Sequence, residues 1–260
     1  MAERKAIFVT GAGSGIGRAV ARHFAAQGWH VGLADVDAAG LDGSRTGMPD
    51  GLTTCYVMDV RHREGWTATL EAFTAITGRL DVLFNNAGVA VGGPFAETAF
   101  DDIDRVIAVN FTGVVNGAHC GFPFLQATPG SCLLNTASAA GIWGTPNAAV
   151  YSATKFAVRG LTEALDAEWA RHDIRVRSLM PSYIETPLLD GHPVGSNRTI
   201  RERVRAQGLE ISSVDEVAAA AWRAVHGDEV HVAVGKTAKR LKFAARWMPG
   251  RLRRQLRGLS

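Results

Sequence analysis

Cysteine is scarce in this sequence, with only Cys55, Cys120 and Cys132 among 260 residues. An odd count, wide spacing and apolar neighbours argue against a disulfide framework or a metal site, and the expectation is reduced thiols in a core with no bound metal. Long apolar runs are also missing, so no segment reaches the roughly 20 residues that a membrane-spanning helix needs. The opening MAERK runs straight into the strand-like AIFVT, without the apolar region and cleavage site of a signal peptide, and the expected location is the cytoplasm. Internal repeats and low-complexity linkers are absent as well. Acidic residues are missing from the last 25 positions: Lys236 to Ser260 carries nine Lys/Arg and no Asp/Glu, leaving 19 basic against 25 acidic residues before it. The net charge of +3 therefore combines a mildly acidic body with a basic tail, and the domain is not expected to bind nucleic acid.

What is present is a chain with 47% apolar and 20% charged residues, long enough to bury a substantial core. Seven short runs read as strands: KAIFVT, HVGLAD, TTCYVM, LDVLFNN, SCLLNTAS, IRVRSLMP and EVHVAVG. Helical periodicity fills most of the intervals, over Ile16 to Gln27, Glu64 to Thr77, Asp102 to about Leu125, Tyr151 to Arg171, and Val214 to Val225. The last opens with Ser213 and Glu216 at capping-box spacing. Near-continuous apolar strands alternating with helices predict an α/β fold: a doubly wound parallel sheet of about seven strands covered on both faces. One domain is expected over residues 1–235, with 236–260 as a basic amphipathic extension. The stretch 182–208, rich in glycine, proline and polar residues, breaks the rhythm.

TGAGSGIG, Thr10 to Gly17, follows the first strand and precedes a helix. Glycines at such a turn let the backbone approach a phosphate, and a helix N-terminus offers free N–H groups and a positive dipole end. The spacing is G-x-x-x-G-x-G, fixed by Gly11, Gly15 and Gly17, with Ser14 and Ile16 between them. Asp35 ends the second strand eighteen residues beyond Gly17, where a carboxylate can accept from an adenosine ribose and repel a 2′-phosphate. Neither Ser14 nor Val36 supplies a cation for that phosphate, so NAD(H) is the expected cofactor. Asp59 and Val60, after the third strand, can face the adenine, although Asp59 also suits a turn.

YSATK sets Tyr151 and Lys155 four residues apart, on one face of a helix. Taken in order, TGAGSGIG, Asp59-Val60, the NNAG of residues 85–88, Asn110, Ser138 and YSATK resemble the short-chain dehydrogenase/reductase family over about residues 5 to 235. The resemblance implies a single Rossmann-type domain that transfers hydride between a nicotinamide and a carbonyl or alcohol carbon, working as a homotetramer. It also implies that Asn110 holds a water near the lysine. The segment Pro181 to Pro187, with Ile184 and Thr186, corresponds to the one that touches the nicotinamide carboxamide. Ser182 departs from the family's usual glycine there. The chemistry is coherent on its own terms: a carbonyl accepting hydride needs a proton on its oxygen, and an alcohol losing hydride must lose one. Tyr151 can do both if its pKa falls, which the Lys155 ammonium and an oxidised nicotinamide would favour. Lys155 would also reach the nicotinamide ribose, and Ser138 would hydrogen-bond the substrate oxygen. Asn86, Ala87 and Gly88 are expected beside the cofactor.

Val91, Ala140, Trp143, Asn147, Tyr183 and Leu188 are the expected walls of the substrate site. Their aromatics favour an apolar or aromatic secondary alcohol or ketone. The 182–208 stretch is expected to order when ligands bind. A ketoacyl-thioester reductase, or a non-catalytic NAD-binding regulatory protein, are the alternatives. In the tail, Leu241, Ala245, Met248, Leu252, Leu256 and Leu259 form an apolar face, suited to packing on the domain or a neighbouring subunit, or to peripheral contact with an anionic membrane.

Overall fold

The computed structural model describes residues 4–257. Its strands are β1 (Ala6–Thr10), β2 (His30–Asp35), β3 (Thr53–Val57), β4 (Val82–Asn85), β5 (Cys132–Thr136), β6 (Arg175–Pro181), β7 (Tyr183–Ile184), β8 (Ile211–Ser212) and β9 (His231–Val234). All seven expected strands join one parallel sheet in the order β3-β2-β1-β4-β5-β6-β9. Winding proceeds outward from β1 in one direction and then, from β4, in the other. At that reversal the loops leaving β1 and β4 diverge, and an open sheet has its crevice at this point.

The helices are α1 (Gly15–Ala26), α2 (Ala38–Arg45), α3 (Arg63–Thr77), α4 (Phe100–Ile107), α5 (Gly113–Gln126), α6 (Ala149–Trp169), α7 (Ile200–Ala206), α8 (Val214–His226), α9 (Lys236–Trp247) and α10 (Pro249–Arg257). They cover both faces of the sheet, which is why β1, β4 and β5 are buried along their whole length. On one face Val20 and Phe24 of α1 and Ala221 of α8 pack against Leu33 and Leu134. On the other, Trp66, Leu70 and Phe73 of α3 and Leu125 of α5 enclose Phe8 and Leu83. A third cluster joins Ala137, Ile142, Val158 and Met180, with Leu241 and Ala245 of α9 packed against it.

Several expectations need correction. Cys55 is exposed, because β3 is the edge strand and is flanked by a neighbouring strand on one side only; only Cys132 is a fully buried thiol. The single helix read over Asp102 to Leu125 is three pieces, α4, a π-helical turn at Ala108–Thr112, and α5. Helix α2 has no apolar period strong enough to announce it, since AAGLDGSR carries two glycines of low helix propensity. The 182–208 stretch is built rather than irregular: β7 pairs with β8, and Thr199 caps α7 in a complete capping box with Glu202. Ser213 caps α8 by accepting from the Glu216 amide at 3.2 Å.

The glycine turn is where backbone geometry is least negotiable. Gly17, in the first turn of α1, lies so close to the Gly11 carbonyl that an added Cβ would stand 2.1 Å from that oxygen. Gly65, in α3, faces only Met58 Cγ at 3.6 Å. Gly17→Ala is therefore expected to lower unfolding free energy by about 3 kcal/mol or more, whereas Gly65→Ala should raise it by about 0.5–1 kcal/mol. Urea denaturation of the two variants checks the pair; equal stability would refute the close approach.

Candidate active site

Helix α1 begins at a turn built for an anion. Gly11 and Gly15 take left-handed φ values of 65° and 50°, which side-chain-bearing residues rarely adopt. Ser14 occupies the N-cap without making a side-chain cap bond, and the first turn contains no acidic residue. The leading N–H groups are thus left for an incoming ligand. Asp35 braces the turn, its carboxylate accepting from the Gly13 amide at 2.8 Å and from the Asp37 amide at 3.1 Å. Arg18 ties the turn from behind, bonding to Ser44 Oγ at 2.8 Å and to the Gly13 carbonyl. Ile16 packs against the neighbouring core.

The NNAG segment is strapped to this turn. Thr10 Oγ1 accepts from the amides of Asn86 and Ala87 at 3.0 and 3.1 Å, and Asn86 Nδ2 donates to the Thr10 carbonyl at 3.0 Å. Asn85 points the other way, donating to Asn135 Oδ1, and Asn135 donates to Thr162 Oγ1 of α6, both at 3.1 Å. Gly88 leaves an opening whose far side is Asn110 Oδ1 and Lys155 Nζ, 3.4 and 3.8 Å from where a Cβ would stand. Asp59 lies two residues beyond β3 and is held by Arg61, whose guanidinium keeps its carboxyl below the usual carboxylate range. Val60 is buried, and its carbonyl accepts from Trp66 Nε1 at 2.9 Å and Asn116 Nδ2 at 3.1 Å.

Ser138, Tyr151 and Lys155 converge beyond the C-terminal end of β5. The Ser138 hydroxyl lies beside the Tyr151 phenol, where it favours the phenolate. The same oxygen accepts from the Ala140 amide at 3.1 Å, holding buried Ala140 in the turn after the strand. Gly141 presses this turn onto α6, where an added Cβ would stand 2.7 Å from the Lys155 carbonyl. That contact sets the separation between Ser138 and the helix bearing Tyr151. Lys155 Nζ lies 5.6 Å from the Tyr151 ring centre and donates to the Thr136 carbonyl at 2.8 Å. Burial pulls the Lys155 ammonium down to about 8. Burial also pushes the Tyr151 phenol up, with the Ser138 hydroxyl opposing it and Tyr183 adding to the rise. The expected drop in the phenol's pKa, which called on an oxidised nicotinamide as well as the lysine, is therefore not a property of the protein alone: without the cofactor, burial holds the phenol up.

Asn110 sits in the π-helical turn, a local widening that is frequent at functional sites. Its side chain pins the strand of chain after NNAG, Oδ1 accepting from the Val89 amide and Nδ2 donating to the Val89 carbonyl, each at 2.8 Å. The same Nδ2 also approaches Thr154 Oγ1 of α6 at 3.5 Å, so Asn110 links this segment to the helix that carries Lys155.

At the end of β6 the Pro181 carbonyl accepts from Ser138 Oγ at 3.4 Å; beyond it Ile184 is buried, and Thr186 stands against Gly15, its Cγ2 3.0 Å from where a Cβ would lie. Arg201 of α7 clamps this segment by pairing with Glu185 and Asp190 and donating to the Thr186 carbonyl. Of the expected substrate walls, Tyr183 is half-buried and electrostatically coupled to Tyr151, Trp143 and Val91 are half-buried, and Leu188 is exposed. Asn147 adopts a left-handed φ of 60°, and its carbonyl accepts from the Gly93 amide at 2.8 Å. Gly92 in turn accepts from Val194 at 2.7 Å, so these loops close on one another. Among the described residues no cluster of His, Cys, Asp or Glu has metal-binding geometry.

A family model described as short chain dehydrogenase matches residues 5–193. The chain belongs to the short-chain dehydrogenase family. It is 36% identical over 202 residues to meso-2,3-butanediol dehydrogenase of Serratia marcescens, covering 78% of this chain and 80% of that one. It is 34% identical over 254 residues to oxidoreductase SadH of Mycobacterium tuberculosis, covering 95% and 91%. A solved short-chain dehydrogenase/reductase from Burkholderia phymatum in complex with NAD superposes with a TM-score of 0.83 at 26% identity, covering 98% of this chain and 97% of that one. As a short-chain dehydrogenase the chain is a nicotinamide-dependent oxidoreductase acting on CH–OH groups.

The residues of this short-chain dehydrogenase fit such a cofactor: uncapped N–H groups at α1, a braced acidic group at Asp35, and an opening at Gly88 leading to Lys155. Sequence reasoning missed Arg18, Thr10, Thr136 and Arg201, which act through backbone carbonyls or through partners distant in the chain. Only Thr10, adjoining the glycine turn, carried any sequence signal.

Burying a charged lysine costs stability, and the sign is definite. With a folded pKa of about 8, below its value in the unfolded chain, the cost is fully present below pH 8 and is relieved as pH rises above it. Lys155→Met should therefore be more stable than the parent at pH 7, by about 1–3 kcal/mol after losing one hydrogen bond. The advantage should shrink between pH 8 and 10, where thermal melts read it. A variant no more stable at pH 7 would refute the buried-charge cost.

Proposed function

We propose that this protein is an NAD(H)-dependent dehydrogenase/reductase of apolar or aromatic secondary alcohols and ketones, with Tyr151 as general acid and base. The observation that carries the reading is the convergence of the Ser138 hydroxyl, the Tyr151 phenol and the buried Lys155 ammonium at the end of β5. A bound nicotinamide supplies or accepts the hydride. Ser138 orients the substrate oxygen, and Tyr151 gives it a proton in reduction or takes one in oxidation. Lys155 stands where it can reach both the phenol and, through the opening at Gly88, a ribose hydroxyl. Asn110 acts on this site indirectly, by holding Val89 beside it. Asp35 supports NAD over NADP, because its carboxylate would repel a 2′-phosphate and no cation sits at Ser14 or Val36.

The working assembly is a homotetramer in the cytoplasm. Its support is an apolar groove of about 450 Å³ between α4 and α6, lined by Ile103, Ile107, Val150 and Ala153, with Phe95 and Phe100 63% and 81% exposed beside it. Apolar surface of this kind on helix faces favours burial against another subunit.

Turnover is tested by screening NADH formation across secondary alcohols, from short aliphatic to aryl. Tyr151→Phe should lower kcat on the best substrate by about 10³-fold or more while leaving NADH affinity within about twofold by fluorescence titration; retained turnover would defeat the assignment. Cofactor choice is read separately. Asp35→Asn keeps an acceptor for the Gly13 amide but removes the charge, and should shift the kcat/KM ratio toward NADP by about tenfold. An unmoved ratio would place the discrimination elsewhere.

A further inference from the structure

Helix α9 is apolar on two opposite faces. Ala238, Leu241 and Ala245 form the inner one: Ala238 is fully buried, and Leu241 and Ala245 pack against the cluster around Ile142 and Val158. Phe243 lies two residues on from Leu241, about 200° around the helix. With Trp247, one turn further, it forms an outer stripe, 59% and 68% exposed. Met248, 37% exposed, continues the stripe toward α10. Helix geometry sets Lys239 and Arg246 along one border of this stripe and Arg240 along the other. Helix α10 folds back on α9 through buried Leu252, and a groove of about 510 Å³ between them is lined by Phe243, Met248 and Arg251. Arg253 and Arg254 add to the exposed charge. Lys236 and Lys242 are paired, with Glu210 and Glu229. Of the apolar face read from the sequence, Leu241, Ala245 and Leu252 are thus consumed by packing, Leu256 is half-buried, and Leu259 lies outside the described residues.

We propose that the outer face of α9 and α10 docks on an anionic phospholipid surface, with Phe243, Trp247 and Met248 inserted at the headgroup boundary and the surrounding arginines and lysines on the lipid phosphates. Aromatic and aliphatic side chains bordered by cations are the composition of helices that lie in a membrane interface. A second copy of the chain is a poorer occupant, because a twofold contact would set Arg251, Arg253 and Arg254 against their own equivalents. An acidic protein or nucleic acid would meet the charge but gives no reason for the exposed stripe. No helix among the described residues is long and apolar enough to cross a membrane, so the contact is peripheral. Helix α9 also packs on the turn Ala139–Gly141, immediately after Ser138, so a docked tail holds the end of the sheet that carries the candidate active site near the lipid. This last step rests on the activity proposed above; the docking itself does not.

Sedimentation of the full chain with vesicles tests it, comparing phosphatidylcholine alone with phosphatidylcholine and phosphatidylglycerol at about three to one. Binding should favour the anionic vesicles by about tenfold or more and weaken as salt rises. The pair Phe243→Ser with Trp247→Ser, and the triple Arg251→Gln, Arg253→Gln and Arg254→Gln, should each reduce it by about tenfold while leaving the melting temperature and turnover in solution unchanged. Brominated lipid should quench tryptophan fluorescence in the parent and not in the Trp247 variant. Equal binding to both vesicle types, binding indifferent to both variants, or oligomer formation without lipid that the aromatic variants abolish would each overturn the proposal. Vesicle binding is measured without substrate, so its failure leaves the reading of Tyr151 standing, and a failure of turnover leaves the docking test valid.

Discussion

A buried ammonium with a single acceptor among the described residues is the constraint on which the rest of this site depends. Lys155 Nζ is held by the Thr136 carbonyl at 2.8 Å, and an ion so placed loses much of its hydration for one hydrogen bond. The fold supplies that position by cooperation between β5 and α6. The side-chain chain Asn85, Asn135 and Thr162 fastens both to β4, so the lysine cannot relax toward water without breaking buried hydrogen bonds. Stability is thereby traded against a poised charge, which is common where a site must bind and act.

The same economy of polar contacts orders the other half of the crevice. Thr10 uses one hydroxyl to hold two amides of the NNAG segment, and Asp35 uses one carboxylate to hold the glycine turn. Both side chains sit at strand ends, where the ladder stops and backbone donors would otherwise be orphaned. Fixing those donors to side chains keeps the α1 N-terminus open, since its N-cap Ser14 makes no side-chain cap bond. Arg201 performs the matching task across the crevice, closing Glu185, Asp190 and the Thr186 carbonyl onto α7.

How much of this was legible in the sequence follows from the range of the interactions. The seven strands were legible because burial on both faces leaves continuous apolar runs, and the glycine turn because close backbone approach forbids side chains. Tyr151, Lys155 and Ser138 stood out through their spacing. Arg201 did not, because its partners lie sixteen and eleven residues away and no local pattern names them. Helix α7 was hidden in a segment whose glycines and prolines read as irregular, although Thr199 and Glu202 carry its cap. Cys55 was misplaced for a different reason: an alternating or apolar neighbourhood does not tell an edge strand from a central one. The upward push of burial on the Tyr151 phenol was not legible, because desolvation is visible only in the packed structure.

The basic tail shows the same limit at the level of a single helix. Periodicity alone finds an apolar stripe and stops there, since one stripe suffices to explain a helix on a domain. The three-dimensional register adds that Leu241 and Ala245 already fulfil that need. Phe243 and Trp247 then remain as apolar area that the domain does not cover. Large aromatics left in water forfeit the burial that is their main contribution to stability, so their retention beside a row of cations calls for a partner rather than a packing explanation. Because α9 follows β9 directly and rests on the turn after Ser138, whatever covers that outer stripe is also a neighbour of the chemistry.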